Sequence, residues 1–297
     1  MKLIITGASG FIGSSYITKN SEHEIKSICL IKNKLLSLNF KGYDVLIHLA
    51  ALVHQMKGAP EAEYFKVNSD LAFETALKAK NEGVKQFIFL STIKVYGEST
   101  TGRAPFTEDS ACNPQDAYGK SKLDAEKRIM SLADDNFNVA IIRSPLVYGA
   151  GVKANMYSLI KLIDKIPFLP LGKINNKRSF VYVDNLIALI NRIINCKASG
   201  IFLAGDTENL STTELAMAIA KALNKKRALI SMPFLLRKMA AVLFSSYYDR
   251  LWGSLELNHD SGWKRIGFVP QVTFEKGITE MVKWYCAINN AEGNSNE

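Results

Sequence analysis

At 297 residues, 47% hydrophobic and 22% charged, the chain has the composition of an ordered globular protein, which excludes intrinsic disorder, and its length suits a two-lobed enzyme. Cys29, Cys112, Cys196 and Cys286 follow no metal or disulfide spacing, and no apolar run approaches the ~20 residues of a bilayer span, so a cytoplasmic protein with no metal site and no integral membrane segment is expected. The formal charge of +9 admits nucleic acid, a membrane surface or a phosphorylated ligand, but Lys and Arg read as thinly spread, the densest run being Asn224 to Arg227, so no nucleic acid partner is expected.

The opening "MKLIITGASGFIG" reads as a short apolar strand, then Gly7, Gly10 and Gly13, then a helix from about Phe11. Glycine suits such a loop because the chain must turn tightly, admit a pyrophosphate to its backbone N–H groups and pack the helix on the strand. Ser9, Phe11 and Ile12 complete the predicted cofactor loop. The second strand, "IKSICLI", ends without the acidic residue that binds the ribose of NAD and runs instead into Lys32 and Lys34, which suit a 2′-phosphate. The cofactor is accordingly read as NADP or NAD. "YDVLIHLAA", Tyr43 to Ala51, is a third strand whose end, Leu49, Ala50 and Ala51, lets a cofactor lie close. His48 reads as a packed core histidine, and His54 lies just beyond the strand within possible reach of a substrate.

The apolar "VKQFIFL" leads into "STIKVYG", Ser91 to Gly97, and after a polar loop Asn113 and Pro114 signal a helix carrying Tyr118 and Lys122. Four residues apart, those two side chains share a helix face. Lowering a phenol of pKa ~10 by ~3 units takes roughly 4 kcal/mol, which an adjacent ammonium can supply, so the pair is suited to proton exchange with a substrate oxygen.

"VAIIRSPLVYGAG", Val139 to Gly151, is a further strand and turn, and the next helix has Asn155 near its start, as a ligand contact or as a helix cap. "NNKRSFVYVDNL" presents Arg178, "LSTTELAMAIAKAL" is an amphipathic core helix with a serine cap, and "YYDRLWGSLELN" presents Arg250. "FLLRKMAAVLF" reads as core or as a flap of the second lobe in preference to a membrane-surface helix.

"TGASGFIG", "HLAA", "STIKVYG" and "YGKSK", in this order, resemble the extended short-chain dehydrogenase/reductases, specifically the NAD-dependent epimerase/dehydratase family that acts on nucleotide sugars. The resemblance covers essentially the whole chain. It implies an α/β fold, a doubly wound parallel sheet (Rossmann) over residues 1–150 with returning segments near 180–205, and a smaller mixed α/β lobe over 151–297 for a UDP-sugar. It implies Tyr118 as acid/base, Lys122 on the nicotinamide ribose and Thr92 on the substrate oxygen, with Ser91 and Tyr96 in support. Lys94, Asn155, Arg178 and Arg250 are the implied substrate contacts, and a homodimer is the implied assembly. Two departures stand out. Ser179 replaces a frequent Asp, and Ile93-Lys94 stand where sugar 4,6-dehydratases carry Asp-Glu, so dehydration is not expected. The remaining readings are a UDP-4-keto-sugar reductase of surface-polysaccharide (O-antigen) synthesis, favoured, a carbon-4 epimerase that retains NAD, and a non-catalytic sensor, which the presence of both Tyr118 and Lys122 disfavours.

Overall fold

The computed structural model describes residues 1–20, 22–30, 34–53, 59–233, 236–239 and 245–293, with residues 245–247 and 291–293 described by backbone alone. Six strands form one parallel sheet in the order β2-β1-β3-β4-β5-β9: β1 (Lys2–Thr6), β2 (Glu24–Ile28), β3 (Val45–His48), β4 (Gln86–Thr92), β5 (Asn138–Ser144) and β9 (Gly200–Leu203). Successive residues of a strand point to opposite faces, and both faces here are apolar. Leu3, Ile5, Ile47, Ile88 and Ile142 enter one core, and Ile4, Leu46, Phe87, Phe89 and Ile141 enter the other. A sheet apolar on both sides must be covered on both sides. Helices α1 (Phe11–Lys19) and α6 (Val183–Asn195) cover the first face, where the Tyr16 hydroxyl donates to Asn191 Oδ1 at 2.7 Å. Helix α3 (Leu71–Asn81), which continues α2 (Glu61–Phe65) through the π-turn Lys66–Asp70, and helix α4 (Ala117–Met130) cover the second.

The result is the doubly wound Rossmann fold. The chain leaves β1 for β2 on one side and returns to β3 on the other, so the crevice at their carboxyl ends is the switch point where such sheets bind ligands. Between Lys34 and Lys41 the chain makes only the single 3-10 turn Leu35–Ser37. The second half adds a three-stranded sheet of β6 (Leu146–Tyr148), β8 (Arg178–Tyr182) and β10 (Asn209–Leu210). It also adds a two-stranded parallel sheet of β7 (Phe168–Gly172) and β11 (Ala228–Ser231), together with helices α5 (Ala154–Lys165) and α7 (Thr212–Ala222). Ile160, Leu169 and Ile219 from this half join the core of Leu3 and Ile5 without a break. Among the described residues no helix is long and apolar enough to cross a membrane.

One polar cluster lies inside this apolar frame. Arg143 on β5 and Glu126 on α4 form an ion pair with side chains only 5% and 4% exposed, Nη2 donating to Oε2 at 2.6 Å. The Arg143 Nε donates to both carboxylate oxygens, at 3.2 and 3.1 Å, and Ser91 Oγ on β4 donates to the same carboxylate. Removing one member strands the other charge in the core, so Glu126→Leu is expected to lower the unfolding free energy by about 3–5 kcal/mol, and a second change, Arg143→Met, to recover most of it. Urea unfolding of the three proteins measures this. A double variant no more stable than the single one would mean that the pair is not what holds this region.

Candidate active site

At the switch point the glycine loop has two positions, Gly7 and Gly13, where any side chain would run into backbone. Gly7 has φ +74°, and a Cβ there would lie 2.7 Å from the Leu49 carbonyl carbon and the Ala50 nitrogen. A Cβ on Gly13 would lie 2.3 Å from the Gly7 oxygen, so α1 can seat on the strand only with glycine at that position. Gly10, the residue before α1, is exposed along with Ser9, while Phe11 and Ile12 are half-buried. The first turn of α1 holds no acidic residue, which leaves its N–H groups available to an anion. Ala50 N donates to Thr6 Oγ1 at 3.3 Å, holding the half-buried Leu49, Ala50 and Ala51 beside the loop. These features fit a dinucleotide pyrophosphate. The loop after β6 closes over the same place, since a Cβ on Gly151 would lie 3.5 Å from the Phe11 ring. Lys34 is exposed, and Lys32 and His54 lie outside the described residues.

Thr92 ends β4, buried, and its Oγ1 accepts from Lys94 N at 3.3 Å, capping the turn Ile93–Val95. Helix α4 starts against that turn. Asp116 caps the helix by accepting from Gly119 N at 2.7 Å, and a Cβ on Gly119 would lie 3.0 Å from the Lys94 oxygen. Thr92 and Tyr118 thus belong to two elements seated directly on one another. Lys122, one turn later, is fully buried, and its Nζ donates to the Leu90 oxygen at 2.8 Å and stands 4.3 Å above the Phe89 ring. Burial pushes its pKa down to about 7, against a smaller upward pull from Glu126.

The phenol differs from the sequence expectation. Tyr118, half-buried, has its pKa raised, by burial first and then by the Asp116 carboxylate and Tyr64. No lowering by Lys122 counters these, and its amine donates to the Leu90 carbonyl. His48 is stacked on Phe87 and Phe89 with ring centroids 5.8 and 5.9 Å away, and burial, then Lys122, push its pKa down to about 3, so it is a neutral core residue.

Lys94 is not a free cation at this site, because its Nζ pairs with Asp116 Oδ2 at 2.6 Å and Glu98 Oε1 at 3.0 Å. Arg178 points into the same region, where Nη1 donates to the Gly253 and Asp249 oxygens at 2.9 and 3.3 Å. Burial and the nearby Arg250 guanidinium lower its pKa against the pull of Glu98, so two guanidiniums stand close enough to repel one another. Ser179 is buried, accepting from Leu257 N at 2.8 Å and donating to Asn209 Oδ1 at 2.5 Å, which gives this serine a structural place. Asn155 is exposed on the first turn of α5, and the residue at the cap is Lys153, which makes no side-chain bond, so the capping alternative for Asn155 is overturned. Ser91 and Tyr96 serve the Glu126–Arg143 cluster, the guanidinium lying 4.6 Å over the Tyr96 ring.

Two residues escaped the sequence reading. The Tyr64 ring meets Tyr118 edge-on at 6.5 Å. Asn68 accepts from Leu52 N at 2.7 Å and donates to Ser121 Oγ at 3.1 Å, tying the chain beyond β3 to the helix of Tyr118. Both project from a helix interrupted by a π-turn, Lys66–Asp70, a distortion often found at functional sites.

The burial of Lys122 sets a pH dependence. Unfolded, the amine titrates near 10.5, and folded near 7, so the unfolded chain binds the extra proton between those values and stability rises with pH across them. Lys122→Met, without cofactor, is therefore expected to be more stable than the parent below about pH 7, by a few kcal/mol, with the gap closing toward pH 10. Urea midpoints at both ends of the window measure it, and a gap that does not change with pH would contradict it. Gly13→Ala is expected to weaken nicotinamide-nucleotide binding at least about tenfold by displacing α1, as read by fluorescence titration, and unchanged affinity would contradict the fit of the loop.

A sequence profile of the NAD dependent epimerase/dehydratase family matches residues 3–205. The UDP-glucose 4-epimerase of Vibrio cholerae is 34% identical, over 97% of this chain and 96% of that protein. The UDP-glucuronic acid 4-epimerase of Bacillus cereus, solved in complex with NAD, shares the fold with a TM-score of 0.77 at 20% identity, over 97% of this chain and 99% of that one. RMD from Pseudomonas aeruginosa, solved with NADPH, does so with a TM-score of 0.76 at 17% identity, over 96% and 99%. With a profile covering most of its length and a relative above 30% identity end to end, the chain belongs to the NAD-dependent epimerase/dehydratase family of nucleotide-sugar enzymes, which use a nicotinamide dinucleotide.

Proposed function

We propose that the protein is a UDP-4-keto-sugar reductase of surface-polysaccharide synthesis, taking hydride from NADPH to carbon 4 of the hexose, with residues 1–150 as the cofactor lobe and 151–297 as the sugar lobe. The observation that carries this reading is the acid-free, lysine-rich stretch of residues 25–43, which suits NADPH, beside a Tyr118 phenol that burial leaves protonated at neutral pH as an ordinary phenol is. A ketone being reduced needs a proton donor, and a phenol in that state is one. In this scheme Tyr118 gives its proton to the carbon-4 oxygen and Thr92 holds that oxygen by a hydrogen bond. Lys122 orients the nicotinamide ribose, and Arg178 and Arg250 hold the diphosphate, with Asn155 at its edge. The bound nicotinamide supplies the hydride. Lys94 acts at one remove, since it is paired with the Asp116 carboxylate two residues before the phenol. The cofactor preference is supported by residues 25–43, which hold no acid and four lysines.

A second reading, a carbon-4 epimerase, is favoured by the 34% identity to the Vibrio cholerae epimerase. It uses the same residues in both directions, with Tyr118 acting first as base. The assay that separates the two is NADPH consumption on adding UDP-4-keto-6-deoxy-N-acetylglucosamine. The expected result is keto-sugar-dependent oxidation of NADPH, with kcat lowered about 10²–10⁴-fold in Tyr118→Phe while the Kd for UDP-sugar is kept. No NADPH consumption, together with interconversion of UDP-glucose and UDP-galactose without added cofactor, would overturn the reductase.

A further inference from the structure

The positive charge of the chain is not evenly spread, contrary to the sequence reading. Residues 151–183 and 221–248 together hold twelve of the 37 Lys and Arg but only one of the 28 Asp and Glu, so the rest of the chain is close to neutral. These two stretches contain α5, β7 and β11 and are fastened to each other. Arg227 Nε donates to the Ile163 oxygen at 2.6 Å, and Lys225 Nζ pairs with Asp164, the single acid, at 2.5 Å.

Apart from Ser231 at the end of β11, the sheet of β7 and β11 that they form presents only apolar residues on both sides. Phe168 pairs with Ala228 and Leu169 with Leu229, so Phe168, Pro170, Ala228 and Ile230 line one side, opposite Leu169, Leu171 and Leu229. The latter three pack into the core. The former point to solvent, with Phe168 64% and Ile230 54% exposed. A sheet wetted on one side ordinarily alternates apolar with polar residues, and this one does not. The apolar exposure continues in sequence on both sides, through Leu162 and Ile166 at 41% and 40% and through Leu236 and Met239 at 54% and 56%. Lys161, Lys165 and Lys226 are exposed within the same two stretches.

We propose that this face docks on the surface of an anionic phospholipid bilayer, with Phe168, Ile230 and their apolar neighbours entering the interface and the exposed Lys161, Lys165 and Lys226 meeting the headgroups. Exposed apolar side chains rimmed by one sign of charge are the makeup of an interfacial anchor, and the bilayer supplies the opposite charge that a partner here must have. A second copy of the chain would instead bring like charge against like. The proposal rests on this face alone and holds for either direction of the sugar chemistry.

Cosedimentation of the full chain with vesicles tests it. The expected result is binding to vesicles enriched in phosphatidylglycerol, little binding to pure phosphatidylcholine, and weakening of at least about tenfold in the double variant Phe168→Ser, Ile230→Ser and in the separate charge variant Lys165→Ser, Lys226→Ser. Circular dichroism and nucleotide binding show whether each variant is folded. Absence of lipid-dependent binding, equal binding to both lipids, or binding unaffected in both folded variants would overturn the proposal. So would a dimer, seen by light scattering, that the apolar variant splits while vesicles are ignored.

Discussion

The position of helix α4 is set by an ion pair that has nowhere else to go. A carboxylate and a guanidinium removed from water are tolerable only when paired, and Glu126 and Arg143 pair with bonds to both oxygens and with Ser91 as a third member. Advancing the helix by one residue would rotate Glu126 by about 100° and break all of this at once. The register of α4 on β4 and β5 is therefore fixed from below. Tyr118 and Lys122, on the same helix, inherit that precision, and Thr92 inherits it through Ser91, its neighbour on the strand. The polar cluster contacts no reacting atom, yet it determines where the hydroxyls and the amine stand.

Above this anchor the site is electrostatically poised. Lys122 is buried against a carbonyl and a ring, an arrangement unfavourable for an ammonium, and the lowered pKa expresses that cost. His48 beside it remains neutral and adds no second positive charge. At the mouth Lys94 offsets the Asp116 carboxylate, which together with burial and Tyr64 raises the pKa of the phenol two residues away. Burial disfavours the charge on Arg178, Glu98 supports it and Arg250 opposes it, so this guanidinium stands among charges of both signs.

Much of this was legible in the sequence because it depends on local spacing. Gly7 and Gly13 are required by a turn and a helix seat within a dozen residues, and Tyr118 and Lys122 by one turn of helix. The alternation of Leu3, Ile4 and Ile5 between two cores follows from the geometry of a single strand. What escaped depends on contacts between distant segments. The partnership of Ser91, Glu126 and Arg143 joins three elements, and nothing in the spacing of "STIKVYG" marks its serine as structural. Lys94 looks like an available cation until Asp116, 22 residues on, is brought beside it. Asn68 and Tyr64 were hidden because a π-turn breaks the helical period that would have placed them. The concentration of charge around β7 and β11 was missed because residues 151–183 and 221–248, far apart in sequence, are fastened together only by folding.

A reductase releases its nucleotide every turnover, whereas an epimerase must keep it throughout the cycle. The most direct test is to denature the purified protein and identify any nicotinamide nucleotide it liberates. An empty protein, or one carrying NADP, is the predicted result. NAD released in near-stoichiometric amount would contradict the reductase and leave the epimerase in its place.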